Sequence, residues 1–145
     1  MNASQSLGVI DIQLPQYVDN RGELTFAEGQ TAIPFDIARV FWICNVPPGQ
    51  RRGGHAHWHC HEALFAVSGS FRILVDDGHE ERNVLLDSPT HGIVIPAGAW
   101  CELEDFSSDA LCLVLASEHY DATGYCHDKR EWRKMLGIGT NDTND

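Results

Sequence analysis

No run of basic residues occurs anywhere in the chain. Ten Lys and Arg stand against 21 Asp and Glu, for a net charge of −11. Nucleic acid and anionic membrane surfaces attract through clustered cations, so the balance argues against both as general partners. Missing too is any apolar stretch of the length that a membrane span needs. The opening residues, MNASQSLGVIDIQL, have neither the basic start nor the long apolar centre of a secretory signal, and a cytoplasmic protein is expected. The five cysteines (Cys44, Cys60, Cys101, Cys112, Cys126) are odd in number and form no CxxC pair. Reduced thiols, not a disulfide framework, follow. Cys44 and Cys112 lie inside apolar runs and read as small buried hydrophobes. No repeat or linker marks a boundary, so residues 1–136 are expected to form one domain and 137–145 a disordered tail.

What is present is a series of short β-like runs at the intervals of an all-β sandwich or barrel. They fall at 39–46, 62–67, 71–75, 83–86, 92–95, 100–104 and 110–116, with Ser68-Gly69-Ser70 and Asp76-Asp77-Gly78-His79 as hairpin turns. Residues 50–60 are too polar and Gly-rich for a helix and read as a loop leading into a strand with His55 and His57. One helix is expected near the C-terminus. Asp128 caps it, Trp132, Met135 and Leu136 form its apolar stripe, and Gly137 ends it. The fold class is an all-β barrel with a short C-terminal helix.

The most informative stretch runs from Gly49 through His55-Ala56-His57 and Glu62 to Gly69. Two His at i and i+2 of an extended chain share one face. A carboxylate joining them makes a polar cluster that can hold a metal or move protons on a bound carbonyl compound. Arg51, Arg52 and Arg72 lie close in sequence and are the candidate cations for a phosphorylated small molecule. His59 and His61 are expected at an exposed rim. His79, His91, His119 and His127 default to the surface, and Tyr17 and Tyr120 to core or interface.

The spacing G-x5-HxH-x4-E-x6-G resembles the first signature of the cupin barrels. A weaker second signature follows at Gly92-Ile93-Val94-Ile95-Pro96-Ala97-Gly98-Ala99-Trp100-Cys101, with Cys101 where that pattern usually has His. Further marks are Asp19-Asn20-Arg21-Gly22-Glu23-Leu24, Ile33-Pro34-Phe35-Asp36, Arg39-Val40-Phe41, Asp76-Asp77-Gly78 and Leu86-Asp87-Ser88-Pro89. Together, in this order, they are similar to one cupin branch, the WxcM-like sugar 3,4-ketoisomerases that act on dTDP-4-keto-6-deoxyhexoses.

The resemblance implies a homodimer of jelly-roll barrels holding a thymidine-diphosphate-linked keto sugar. It also implies migration of the carbonyl from C4 to C3 with no metal or organic cofactor. The product would feed deoxyamino-sugar and polysaccharide biosynthesis. His55 and His57 are then the catalytic pair, and Arg52, Arg72, Arg21, Glu62, Trp100 and Cys101 the residues expected around the substrate. Glu62 stands where this branch often has Gln, which restores the metal-binding form of the motif. The alternatives are a metal-dependent cupin using His55, His57, Glu62 and Cys101, a related nucleotide-sugar epimerase, and a sugar-binding protein without turnover.

Overall fold

The structure, a computed structural model, describes residues 7–137. Its strands run in chain order as β1 (Ile10–Gln13), β2 (Gln16–Asp19), β3 (Gly22–Thr25), β4 (Arg39–Cys44), β5 (Arg52–His57) and β6 (Glu62–Ser68). They continue as β7 (Phe71–Asp76), β8 (Glu81–Leu86), β9 (His91–Ile95), β10 (Trp100–Glu104), β11 (Leu111–Ala116) and β12 (Tyr125–Cys126). A single 3₁₀ turn at Ala122–Gly124 precedes β12, and helix α1 (Lys129–Met135) follows it. No helix among the described residues is long and apolar enough to cross a membrane.

Two five-stranded antiparallel sheets, ordered β1-β9-β6-β11-β4 and β12-β5-β10-β7-β8, form the barrel, while β2 and β3 make a separate hairpin. Their facing sides interdigitate. Leu64, Ile93, Cys112 and Val114 from the first sheet pack against Phe71, Ile73, Val75, Cys101 and Leu103 from the second. This is a jelly-roll arrangement, in which each strand buries alternate residues.

Strand β6 departs from that alternation because it is covered twice. Leu64 and Ala66 face the barrel interior, while Ala63 and Phe65 are buried under Ile12, Leu14, Ile33 and Phe35 of the N-terminal segment. Phe65 is 1% exposed, and such burial contributes roughly 1.5–3 kcal/mol. A side chain at Gly92 would run into its ring, so the small residue on β9 is what admits it.

Several expectations are corrected here. Cys44 is exposed, because Arg39, Phe41 and Ile43 take the inward positions of β4 and leave Val40, Trp42 and Cys44 outside. The stripe on α1 reduces to one residue. Asp128 does cap it, accepting from the Arg130 and Glu131 amides, but only Trp132 is buried, while Met135 and Leu136 are 66% and 41% exposed. Of the two placements expected for Tyr17 and Tyr120, core or interface, only the core is excluded, since each is 68% exposed. The tail beyond Gly137 lies outside the described residues.

Candidate active site

Strand β5 begins at Arg52, three residues before the first His, and its path is set by two glycines. Gly53 and Gly54 both have left-handed φ, 82° and 76°. Opposite them the register with β10 shifts between Cys101 and Glu102, so that Cys101 pairs with His55 and Glu102 with Gly53. The extra residue is a bulge, which re-aims the strand. A Cβ at Gly53 would stand 2.9 Å from the Cys101 carbonyl oxygen, so glycine is required there by both φ and space.

Past the bulge, His55 and His57 share the inward side of β5 and line one cavity of about 220 Å³. Ala56 between them faces the other way, into a cluster with Trp100, Cys126 and Trp132. The two imidazole centroids are 4.8 Å apart with planes at 86°. Glu62, at the start of β6, brings Oε2 to 3.2 Å from His57 Nε2, and both residues are buried. The approach is too poorly aligned for a hydrogen bond, leaving Nε2 buried without one. Arg52, Cys101, Leu103, Phe41 and Val114 complete much of the wall.

Burial pushes the His55 pKa down from 6.5 to about 4, helped by the neighbouring His57 and, less, by His127. Glu62 and a backbone hydrogen bond with Gly53 oppose the shift. His55 is therefore a neutral imidazole at pH 7, with a free lone pair for a proton. The Cys101 thiol is held well above its usual range, chiefly by burial and then by the Glu62 charge, so it stays protonated.

Five of the eight residues expected at the site meet around this cavity: His55, His57, Arg52, Glu62 and Cys101. Three do not. Arg72 sits on the outer side of β7, since Phe71, Ile73 and Val75 take the inner one; its Nη1 donates to Asn83 Oδ1 at 3.2 Å. Trp100 likewise points outward and is covered by α1, donating from Nε1 to Glu102 Oε2 at 2.9 Å. Arg21 lies on the β2–β3 turn, paired with Asp19 at 2.8 Å and largely in solvent. Arg51 is held by Glu102 and Glu104 at 3.1 and 2.6 Å. His61 is half-buried and not on an open rim: its Nδ1 accepts from the Ala97 amide at 2.9 Å.

Tyr125 was not anticipated. Its ring lies 4.3 Å from His57 and 5.1 Å from His55, and His127 stacks on it at 5.6 Å. It reaches the site through β12, which pairs with β5 over only Tyr125↔His57 and Cys126↔Ala56. A two-residue strand has no periodicity to read. The only local signal was an aromatic flanked by Gly124 and Cys126. A second cavity, of about 370 Å³, adjoins the first and shares His57 and Tyr125 with it; Arg39, His59, His119 and Tyr120 are among its walls.

A jelly-roll whose interior gathers two imidazoles and a carboxylate, from strands of opposite sheets, is a cupin site built for proton transfer or cation binding. The nitrogen and oxygen atoms of His55, His57 and Glu62 lie within 4.8 Å of one another, so the same trio also offers three ligands. The chain belongs to the family described as FdtA, WxcM-like, C-terminal, whose model matches residues 8–137.

It is 37% identical over 125 residues to a TDP-4-oxo-6-deoxy-α-D-glucose-3,4-oxoisomerase of Aneurinibacillus thermoaerophilus, covering 86% of this chain and 90% of that one. A 3,4-ketoisomerase structure from Helicobacter canadensis superposes with a TM-score of 0.85 at 33% identity, covering 89% and 97% of the two chains. The TDP complex of QdtA, a sugar 3,4-ketoisomerase from Thermoanaerobacterium thermosaccharolyticum, gives 0.85 at 36% identity, covering 89% and 94%.

Proposed function

We propose that this chain is a 3,4-ketoisomerase acting on a TDP-linked 4-keto-6-deoxyhexose. The observation that carries the reading is the neutral His55 beside His57 on the inward side of β5, in a chain similar to ketoisomerases along most of its length. His55 removes the proton from C3, and the C3–H electrons form the C3=C4 bond of an enediolate with charge on O4. His57 carries a proton from O3 to O4. Reprotonation at C4 then leaves the carbonyl at C3, with no net redox change. Each positioned acid or base contributes roughly 10²–10⁴-fold. Arg52 faces the same cavity, where it would offset developing oxyanion charge.

The test is NMR of the product formed from TDP-4-keto-6-deoxyglucose in D₂O. Carbonyl migration to C3 with a solvent deuteron delivered to C4 is expected; epimerisation with the carbonyl left at C4 would sink the reading. The ligating trio supports a second, metal-dependent reading, since two imidazoles and a carboxylate suit Fe(II), Zn or Mn. Isomerisation that survives exhaustive chelation separates the two.

We propose also that the protein is a homodimer working in a reducing compartment, the cytoplasm. On edge strand β4, Trp42 is 62% and Val40 49% exposed, and hairpin residues Val18 and Leu24 are 65% and 58% exposed. An uncovered edge with apolar side chains favours pairing with a second copy. All five cysteines are free, which suits a reduced setting. Light scattering at micromolar concentration should give twice the chain mass.

A further inference from the structure

We infer that His61 is a positioning residue for the reaction, clamping the turn that holds His57 against Glu62; this rests on the isomerase reading above. His57 ends β5 in one sheet and Glu62 begins β6 in the other. No strand pairing joins β5 to β6, so the 3.2 Å approach of the two side chains depends on what bridges the sheets around them. One bridge is the chain itself, over residues 58–61, which form neither helix nor strand.

The other bridge is the turn between β9 and β10. The ladder of β6 with β9 closes at Glu62↔Ile95, and the next residue, Pro96, has no N–H with which to extend it. The chain then turns tightly. Ala99 N–H donates to the Pro96 carbonyl at 3.2 Å, with Gly98 left-handed at φ 91°. The Ala97 amide, past the end of the ladder, needs an acceptor from elsewhere. His61 supplies it, Nδ1 accepting at 2.9 Å. One residue on, Gly98 N–H donates to the His57 carbonyl at 2.6 Å, and the Gly98 carbonyl accepts from Trp132 Nε1. The turn is thus fastened on one side by the residue before Glu62 and on the other by His57 itself.

His61 can serve as a clamp because it is itself held. Its N–H donates to Ser117 Oγ at 2.8 Å, and its carbonyl accepts from the Ser117 N–H at 2.9 Å. Its ring lies 6.1 Å from that of buried Phe35. A backbone amide only donates, so the lone pair is on Nδ1 and the proton of the neutral ring on Nε2. The ring lies outside the wall of the cavity that holds His55 and His57, so it acts through its neighbours and not on substrate. A shift of about 1 Å in a catalytic pair can cost on the order of 10²-fold in rate, so a clamp of this kind has a kinetic signature.

Steady-state kinetics of the full chain on TDP-4-keto-6-deoxyglucose, with exchange of the Ala97 amide followed by NMR, tests this. His61→Leu keeps the bulk and removes the acceptor, so kcat should fall by about tenfold or more with KM nearly unchanged, and Ala97 should exchange faster. His61→Asn puts Oδ1 where Nδ1 stood and should restore most of the rate and the protection. In a Glu62→Gln background the pair is already weakened, so His61→Leu should cost about threefold at most. A His61→Leu enzyme with wild-type kcat, a His61→Asn enzyme no faster than it, or an undiminished loss in both backgrounds overturns the clamp while the isomerase reading stands. Should His61→Leu lose its native melting transition, His61→Gln replaces it, with the acceptor one bond further out; kcat equal to that of His61→Asn would then overturn the clamp. A wild-type chain that leaves the carbonyl at C4 overturns both readings.

Discussion

Glu62 Oε2 stands 3.2 Å from His57 Nε2, with both side chains more than nine-tenths withdrawn from water. A carboxylate so placed stabilises imidazolium when His57 picks up a proton, and at that distance little solvent screens it. Glu62→Gln keeps the shape and removes the charge, so kcat should fall by about tenfold, the order of one differential interaction of ~1.4 kcal/mol, with KM nearly unchanged. Steady-state kinetics on TDP-4-keto-6-deoxyglucose reads this directly. A metal-dependent reaction would respond differently. There, Glu62→Gln removes one of three ligands, and activity should recover when divalent metal is added in excess.

His55 makes a second prediction through its depressed pKa. The base form exists above about 4, so the acid limb of kcat/KM assigned to His55 should fall near pH 4 and not near the ordinary 6.5. The same shift links to stability. Between about 4 and 6.5 the unfolded chain binds the proton that folded His55 refuses, so this contribution to stability drops as pH falls through that window. His55→Asn should abolish C3 exchange and flatten this part of the pH–stability curve. A variant that keeps wild-type exchange removes His55 from the base role.

The seven β-runs read from pattern all became strands, because each alternates or is continuously apolar over enough residues to carry a signal. Strands β1 to β3 went unread: β1 is four residues with one buried position, and β2 and β3 form an exposed hairpin. The core of the site was legible because i and i+2 on β5 must share a face. Arg72 and Trp100 were misplaced for the same geometric reason in reverse. Each neighbours an inward residue, Ile73 or Cys101, and so points out. Tyr125 and His127 were illegible as neighbours of the histidine pair, since they are brought in by tertiary pairing of segments far apart in sequence.

Gly53 tests whether the bulge positions the catalytic ring. An alanine there takes up a left-handed conformation costing roughly 1–2 kcal/mol and sets its Cβ against the Cys101 carbonyl. Gly53→Ala should lower the unfolding free energy by at least that amount and reduce kcat, because His55 follows two residues later. Gly54→Ala meets nothing within 4 Å and should show the conformational cost alone. Equal kcat values for the two variants would count against a positioning role for the contact with β10.

Thiol chemistry checks the burial pattern independently of turnover. Cys44 is the one exposed cysteine of five. The Cys101 thiol is held well above its usual range, and burial with the Glu62 charge pushes Cys112 up to about 12. Native protein at pH 8 should therefore give one fast equivalent with a thiol reagent, lost in Cys44→Ser, and all five only after denaturation. Fast labelling of Cys101 would mean that the cavity is wetter than this packing allows.

Trp132 ties the C-terminal helix to the site. Its side chain is fully buried, its Nε1 donates to the Gly98 carbonyl at 2.7 Å, and its ring lies 5.8 Å from Trp100. The same cluster contains Cys126, whose neighbour Tyr125 walls both cavities. Trp132→Ala should cost about 3–5 kcal/mol, the range for deleting a buried aromatic. Trp132→Phe should cost less, though it strips the Gly98 carbonyl of its indole donor. Because β12 is held to β5 over only two residues, the alanine variant should also free Tyr125, raising KM in step with the loss of stability. Denaturant melts paired with kinetics decide it. A large stability loss with unaltered KM would show that Tyr125 holds its place without the helix.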